Sequence, residues 1–277
     1  MPTSDKPPYI IGSDGLPARN SGTWALTKHH YLRRYCDITT RAVAKKFPGG
    51  VVYLDVMAGP GRCAEEKTGE EFPGSPFVAL DYDFSAYWLI EENPQLFDAL
   101  TKRVASHPKR ARITLKNQSW TELATSGAFP FGADTLVIAF VDPTGISQMP
   151  WPSVKALLGL PRIDVLATIQ YRLGIVWNAK QYKRAASNDT ALDKFLDSGG
   201  WREWQDRDAT EFGQMAIDAF ISKVGDEGFK TSRQIPVGED QALYRLALFS
   251  RHPLADKFWK ETLKLDEDGQ RGFDFPV

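Results

Sequence analysis

Residues 51–61, VVYLDVMAGPG, constrain the chain more than any other segment. A β-branched, apolar run that stops in glycines reads as a buried strand entering a tight turn. Glycine at such a turn lets backbone amides approach a ligand where a Cβ would collide. Downstream, AYWLIEEN (86–93), ARITLKN (111–117), TLVIAFVDP (135–143) and RIDVLATIQYR (162–172) repeat the strand pattern. Between them, helices are expected over about 76–83, 94–106 and 152–158. Strands alternating with helices predict an α/β fold with a mostly parallel sheet. GFKTSRQIPV (228–237) and ALYRLALFS (242–250), joined by a short acidic-glycine turn, predict a C-terminal antiparallel hairpin and bring the sheet to seven strands.

Punctuation divides the rest. Residues 1–22 hold four prolines and three glycines with no strand or helix period, and are expected to form a surface arm. Apolar positions Trp24, Leu26, Tyr31, Leu32, Tyr35, Ile38 and Val43 recur at helical spacing and stop near Pro48. The expected organisation is an N-terminal arm and helix over 1–50 and a main domain over 51–277. Within that domain the strand rhythm lapses over about 174–225 in favour of a helical insertion rich in tryptophan and charge.

Lys and Arg (34) nearly balance Asp and Glu (35), so no whole-protein field draws the chain to nucleic acid, and such a site must be a local patch. The first 20 residues lack an apolar signal core, and the longest apolar run, 136–141, is far below a bilayer span. A soluble, cytoplasmic protein with no membrane partner is expected. Two cysteines, Cys36 and Cys63, and four histidines without ligand spacing argue against a metal site.

Gly59, Gly61 and Ala64 satisfy G-x-G-x-x-A, which fits a dinucleotide fingerprint and leaves NAD open at this point. The ends of the other strands favour S-adenosylmethionine (SAM). Asp55, Ala58, Gly59 and Gly61 form the first cofactor motif, with the Asp55 carboxylate suited to the methionine ammonium. Glu91 closes the second strand and suits the two ribose hydroxyls. Residues 117–120 follow the third strand and bracket the adenine, Ser119 by hydrogen bonding and Trp120 by stacking. Asp142 and Pro143 follow an apolar strand, which delivers a carboxylate and a backbone carbonyl to the crevice above the sheet. In amino-group methyltransferases, D-P-P-Y at this place orients the amine, and catalysis is mainly positioning. Gly145 stands where that motif has an aromatic, so a stacking partner is expected from Trp151, Tyr171 or Tyr31. On the first helix, Lys28 is the expected catalytic cation. Of two basic clusters, residues 102–112 read as solvated, whereas Lys180, Lys183 and Arg184 with Trp177 and Tyr182 mix charge and stacking surface as a nucleic-acid face does.

Together these segments resemble the three-Cys-motif partner (TcmP) family over most of the chain. Trp24, Lys28, His29, Leu32 and Tyr35 resemble its W-x-x-x-K-H-x-x-L-x-x-Y opening. YLDVMAGPGRC (53–63) resembles its strand-turn, Gly74-Ser75-Pro76 with Ala79-Leu80 its G-S-P-x-x-A-L, Asp142-Pro143-x-Gly145 its D-P-x-G, and YRLALFSRHP (244–253) its last strand. Met57 departs from an aromatic position. The resemblance implies a SAM-dependent methyltransferase-like fold and a partner protein carrying a radical-SAM-like three-cysteine iron–sulfur motif. The lysine-histidine helix before the first strand also resembles that of a large-subunit ribosomal-RNA adenine-N6 methyltransferase, which by similarity points to Lys28 and Asp142; RNA or DNA is the expected substrate. The expected function is SAM-dependent methylation of an amino group on nucleic acid, the alternative a SAM-binding docking module for the iron–sulfur partner.

Overall fold

The computed structural model describes residues 7–43, 45–238 and 242–265. The chain begins with β1 (Tyr9–Ile11) and β2 (Pro17–Ser21), then α1 (Trp24–Val43). Next come β3 (Val51–Asp55), β4 (Arg62–Glu65), β5 (Glu71–Pro73), α2 (Ser75–Leu80) and β6 (Ala86–Ile90). The middle holds α3 (Pro94–Val104), β7 (Ile113–Lys116), α4 (Trp120–Thr125), β8 (Leu136–Val141), α5 (Trp151–Leu158) and β9 (Ile163–Ile169). A π-helical turn, Tyr171–Val176, opens a helical region of α6 (Ala179–Arg184), α7 (Ala191–Leu196) and α8 (Ala209–Asp226). The chain closes with β10 (Lys230–Thr231), β11 (Ile235–Val237), β12 (Tyr244–Ser250) and α9 (Pro253–Thr262).

The central sheet runs β7-β6-β3-β8-β9-β12, parallel from β7 to β9, with β12 antiparallel beside β9. Every residue of β3 and β9 is buried, as strands covered on both faces must be. One face packs against α1, α2, α3 and α9, and the other against α4, α5 and the helical region. Both β10 and β11 pair with β12, so the expected seventh strand is one edge position in two segments. The break at 232–234 has a cause: the Ser232 hydroxyl donates to Asp256 and the Arg233 carbonyl accepts from the Trp259 indole, tying that stretch to α9. The turn expected before β12 lies partly outside the described residues.

The N-terminal segment corrects the expectation of an arm without strands. β1 and β2 form an antiparallel hairpin, and β2 pairs in parallel with β4, which pairs with β5, in a second sheet. Arg103 on α3 fixes that hairpin. Its guanidinium donates to Asp14, to the carbonyls of Leu16 and Pro17, and to the Pro60 carbonyl inside the glycine turn. Such contacts between distant residues leave no local period in the sequence. Among the described residues no helix is long and apolar enough to cross a membrane.

Candidate active site

The C-terminal ends of β7, β6, β3, β8 and β9 open on one edge of the sheet, and β12, being antiparallel, brings its N-terminal residue Tyr244 to the same edge. A cavity of about 490 Å³ lies there, walled on its far side by the β1–β2 hairpin and the start of α1. Open α/β sheets bind ligands at this edge because backbone polar groups and loop side chains converge there.

Asp142, directly after the buried strand β8, meets Lys28 from α1. The Lys28 ammonium donates to both carboxylate oxygens at 2.7 Å, with the lysine side chain 8% and the aspartate side chain 21% exposed. Lys28 also lies 5.1 Å from the centre of the Tyr244 ring, a cation–π distance. Pro143 lines the cavity, and its carbonyl accepts from the Gln170 side-chain amide at the end of β9. Gln170 Oε1 is then buried without a partner.

His29, beside Lys28, is buried, and its pKa is pushed down to about 4 by burial first and by the Lys28 charge second. The imidazole is neutral at pH 7. Its backbone partner is Pro73, which has no N–H, so a ring N–H donates to that carbonyl and Nδ1 remains as a buried, unpartnered acceptor.

The glycine turn after β3 is held from two sides. The Glu91 carboxylate accepts from the Gly59 N–H at 2.9 Å and the Asn93 N–H at 2.7 Å, and the Ala58 N–H donates to the Ile90 carbonyl at 2.8 Å. Burial pushes the Glu91 pKa up. Gly59 and Gly61 take φ of +60° and +81°. A Cβ on Gly59 would meet no protein atom within 4 Å, so the turn has open cavity above it, whereas one on Gly61 would lie 2.8 Å from the Phe77 ring. Gly59, Gly61, Glu91 and Ser119 all line the cavity, so an open turn, a carboxylate and a hydroxyl of the kind that can hold a nucleoside share one surface.

Asp55 sits differently from its expected place. It lies beneath the turn, 1% exposed, accepting from the Tyr53 hydroxyl at 3.0 Å and the Met57 N–H at 3.3 Å, with the Ser75 hydroxyl a further partner. Burial pushes its pKa up to about 7, and it does not line the cavity. Asn117 is committed to the carbonyls of Glu91 and Glu92, and the Trp120 indole donates to the Gln148 carbonyl from within the core. Ser119 lines the cavity with its hydroxyl 2.8 Å from that of Thr121.

The expected stacking partners lie elsewhere. Trp151 packs edge-on against Phe220, Tyr171 lies under the Arg245 guanidinium, and Tyr31 tilts against Trp259. The aromatics that line the cavity are instead Trp24 and Tyr9, both partly exposed, with the buried rings of Tyr244, 6.2 Å from Trp24, and Trp120 behind them. The opening helix already displayed Trp24 one turn before Lys28; Tyr9, Arg19 and Gln170 carried no motif. The basic residues expected to be solvated serve the fold in part: Lys109 donates to the carbonyls of Leu80 and Tyr82, and Arg112 to Phe84. In the helical region Trp177 is 46% exposed, while Tyr182 is buried and Lys183 donates to carbonyls of Gln205 and Arg207.

No family model and no curated protein matches the sequence. Among solved structures, the chain is similar to a protein from Legionella pneumophila at 13% identity over 90% of this chain and 94% of that one, with a TM-score of 0.52, a likeness of fold. Magnesium protoporphyrin IX methyltransferase from Synechocystis, crystallised with S-adenosylhomocysteine (SAH), aligns at 12% identity over 80% and 84% of the two chains with a TM-score of 0.44. The strand order, with its antiparallel last strand inserted beside β9, is that of the Rossmann-like α/β fold of SAM-dependent methyltransferases.

Proposed function

We propose that this chain binds SAM over the glycine turn and transfers its methyl group to an amino nitrogen held at Asp142, with nucleic acid as the acceptor class. The observation that carries the reading is the Lys28–Asp142 pair, set at the sheet edge beside the turn and the Glu91 carboxylate. When bound, SAM supplies an electrophilic methyl carbon on a sulfonium that departs as a neutral thioether. Lys28 donates to both oxygens of Asp142 and fixes their orientation, and each oxygen has lone pairs left for an amine N–H. An N–H donated to Asp142 turns the nitrogen lone pair toward the methyl site, so the chain acts by orientation. The proton lost by nitrogen passes to water by way of the carboxylate. The partly exposed Trp24 ring, one turn before Lys28 on α1, suits a planar heteroaromatic acceptor.

Purified protein given methyl-labelled SAM with RNA, DNA and a lysine-rich peptide tests this. Label on an exocyclic base amine is expected, and label on peptide alone contradicts the acceptor class. Folded protein that binds SAH yet labels none of them supports the docking role that the family resemblance implies.

A further inference from the structure

Among the described residues three lysine and arginine side chains line the cavity, and two of them meet carboxylates. Lys28 meets Asp142, and Arg62 meets Glu71 at 2.8 Å and Asp14 at 3.5 Å. The third, Arg19, has a neutral partner: its Nη1 donates to the Tyr9 hydroxyl at 3.0 Å while its guanidinium lies 5.1 Å from the centre of that ring. Its place is built into the fold. Tyr9 and Arg19 are cross-strand neighbours in the β1–β2 hairpin, and β2 sets Arg19 opposite Cys63 on β4, just past the glycine turn. The same hairpin is pinned to that turn through Arg103 and the Pro60 carbonyl. Burial raises the pKa of Glu91, Cys63 and Tyr244, and the charge of Arg19 opposes it in a small part at all three, which lie on different sides of the cavity wall. A guanidinium offers five donors in a planar fork matched to carboxylate and phosphate, and Tyr9 takes one.

We infer that Arg19 is the anion-binding residue of this cavity, holding a carboxylate or phosphate oxygen of a bound small molecule. The inference rests on the cofactor reading above. Two sources carry such a group: the amino-acid carboxylate of the methyl donor and the phosphate of a nucleotide acceptor. The position beside Cys63, next to the turn, favours the first.

Calorimetric titration of wild type, Arg19→Gln and Arg19→Lys separates them, with thermal unfolding showing that each variant is folded. The ligands are SAH, 5′-methylthioadenosine, which lacks the amino-acid end, and, on SAH-saturated protein, adenosine 5′-monophosphate. Arg19→Gln is expected to weaken SAH by about ten-fold or more and to leave methylthioadenosine within about two-fold, with Arg19→Lys recovering part of the loss. Weakened adenosine monophosphate with SAH unchanged assigns the phosphate source instead. Unchanged affinities throughout, or equal loss for SAH and methylthioadenosine, overturn the inference while the cofactor reading stands. Wild-type protein that binds neither SAH nor methylthioadenosine overturns that reading and this inference with it.

Discussion

The Lys28 ammonium sits 2.7 Å from each carboxylate oxygen of Asp142, joining a helix before the first central strand to the loop after the fourth. A cation shared evenly by both oxygens holds the plane of the carboxylate. Asp142→Ala removes the proposed acceptor of the amine N–H and leaves a largely buried Lys28 ammonium without its carboxylate. Methyl transfer is expected to fall by about 100-fold or more while SAH affinity changes by less than about three-fold, since the lost contact orients the acceptor. Equal losses in turnover and SAH affinity would place Asp142 in cofactor binding.

Asp55 makes stability depend on pH. Its folded pKa of about 7 lies above its ordinary value of 3.8 because burial penalises the charge, so between these values the native state binds more protons than the unfolded chain. Stability contributed by this group is therefore full below about pH 4, declines as pH rises toward 7 and is flat above. Asp55→Asn removes that slope. Urea unfolding at pH 4.5, 6 and 8 should show wild type losing ground to the variant by at most about 1.4 kcal/mol per pH unit in that window. Parallel pH profiles would contradict the assignment.

The two glycines of the turn should respond differently to alanine. Gly61→Ala combines a φ of +81° with a Cβ 2.8 Å from Phe77 and 3.0 Å from Leu100, and is expected to cost about 2 kcal/mol or more in stability. Gly59→Ala meets open space at φ +60° and is expected to cost about 1 kcal/mol, yet it fills the cradle and weakens SAH by about ten-fold. Denaturant melts paired with SAH titration check both, and SAH affinity untouched by Gly59→Ala would contradict the cradle.

Arg103→Ala should free the N-terminal hairpin. The guanidinium side chain is 5% exposed and spans Asp14 and three carbonyls, that of Pro60 in the turn among them, so its loss is expected to cost about 2–4 kcal/mol and to open the hairpin loop to protease. Cleavage near residues 13–16 that is no faster than in wild type would contradict this clamp.

Much of this architecture is legible in local pattern. Apolar strands that stop at Asp55, Glu91 and Asp142 mark one sheet edge, because the chain must turn where the β-branched run ends; Lys28, next to His29 and His30 on α1, reads equally as part of a solvated basic face until the fold buries it. What stays hidden depends on pairing across the sequence. The β1–β2 hairpin has too many prolines and glycines to show a period, and its partner β4 lies more than 40 residues on. Asp55 looked like a ligand because it ends a strand, but the Tyr53 hydroxyl and the Met57 N–H claim its oxygens below the turn. Gln170 gains meaning only when β9 lies beside β8. The last helix, α9, did leave a signal: His252 followed by Pro253 is a cap before a favoured first residue, and the His252 ring accepts from the Leu254 N–H.

The most direct test of the cofactor site is titration of ligand-stripped protein with SAH, comparing wild type with Glu91→Ala. Because Glu91 accepts from Gly59 at the edge of the cradle and is proposed to take the ribose hydroxyls, micromolar binding is expected in wild type and at least about ten-fold weaker binding in the variant. Folded wild-type protein that takes up no SAH, or binds it equally well without Glu91, would contradict the account.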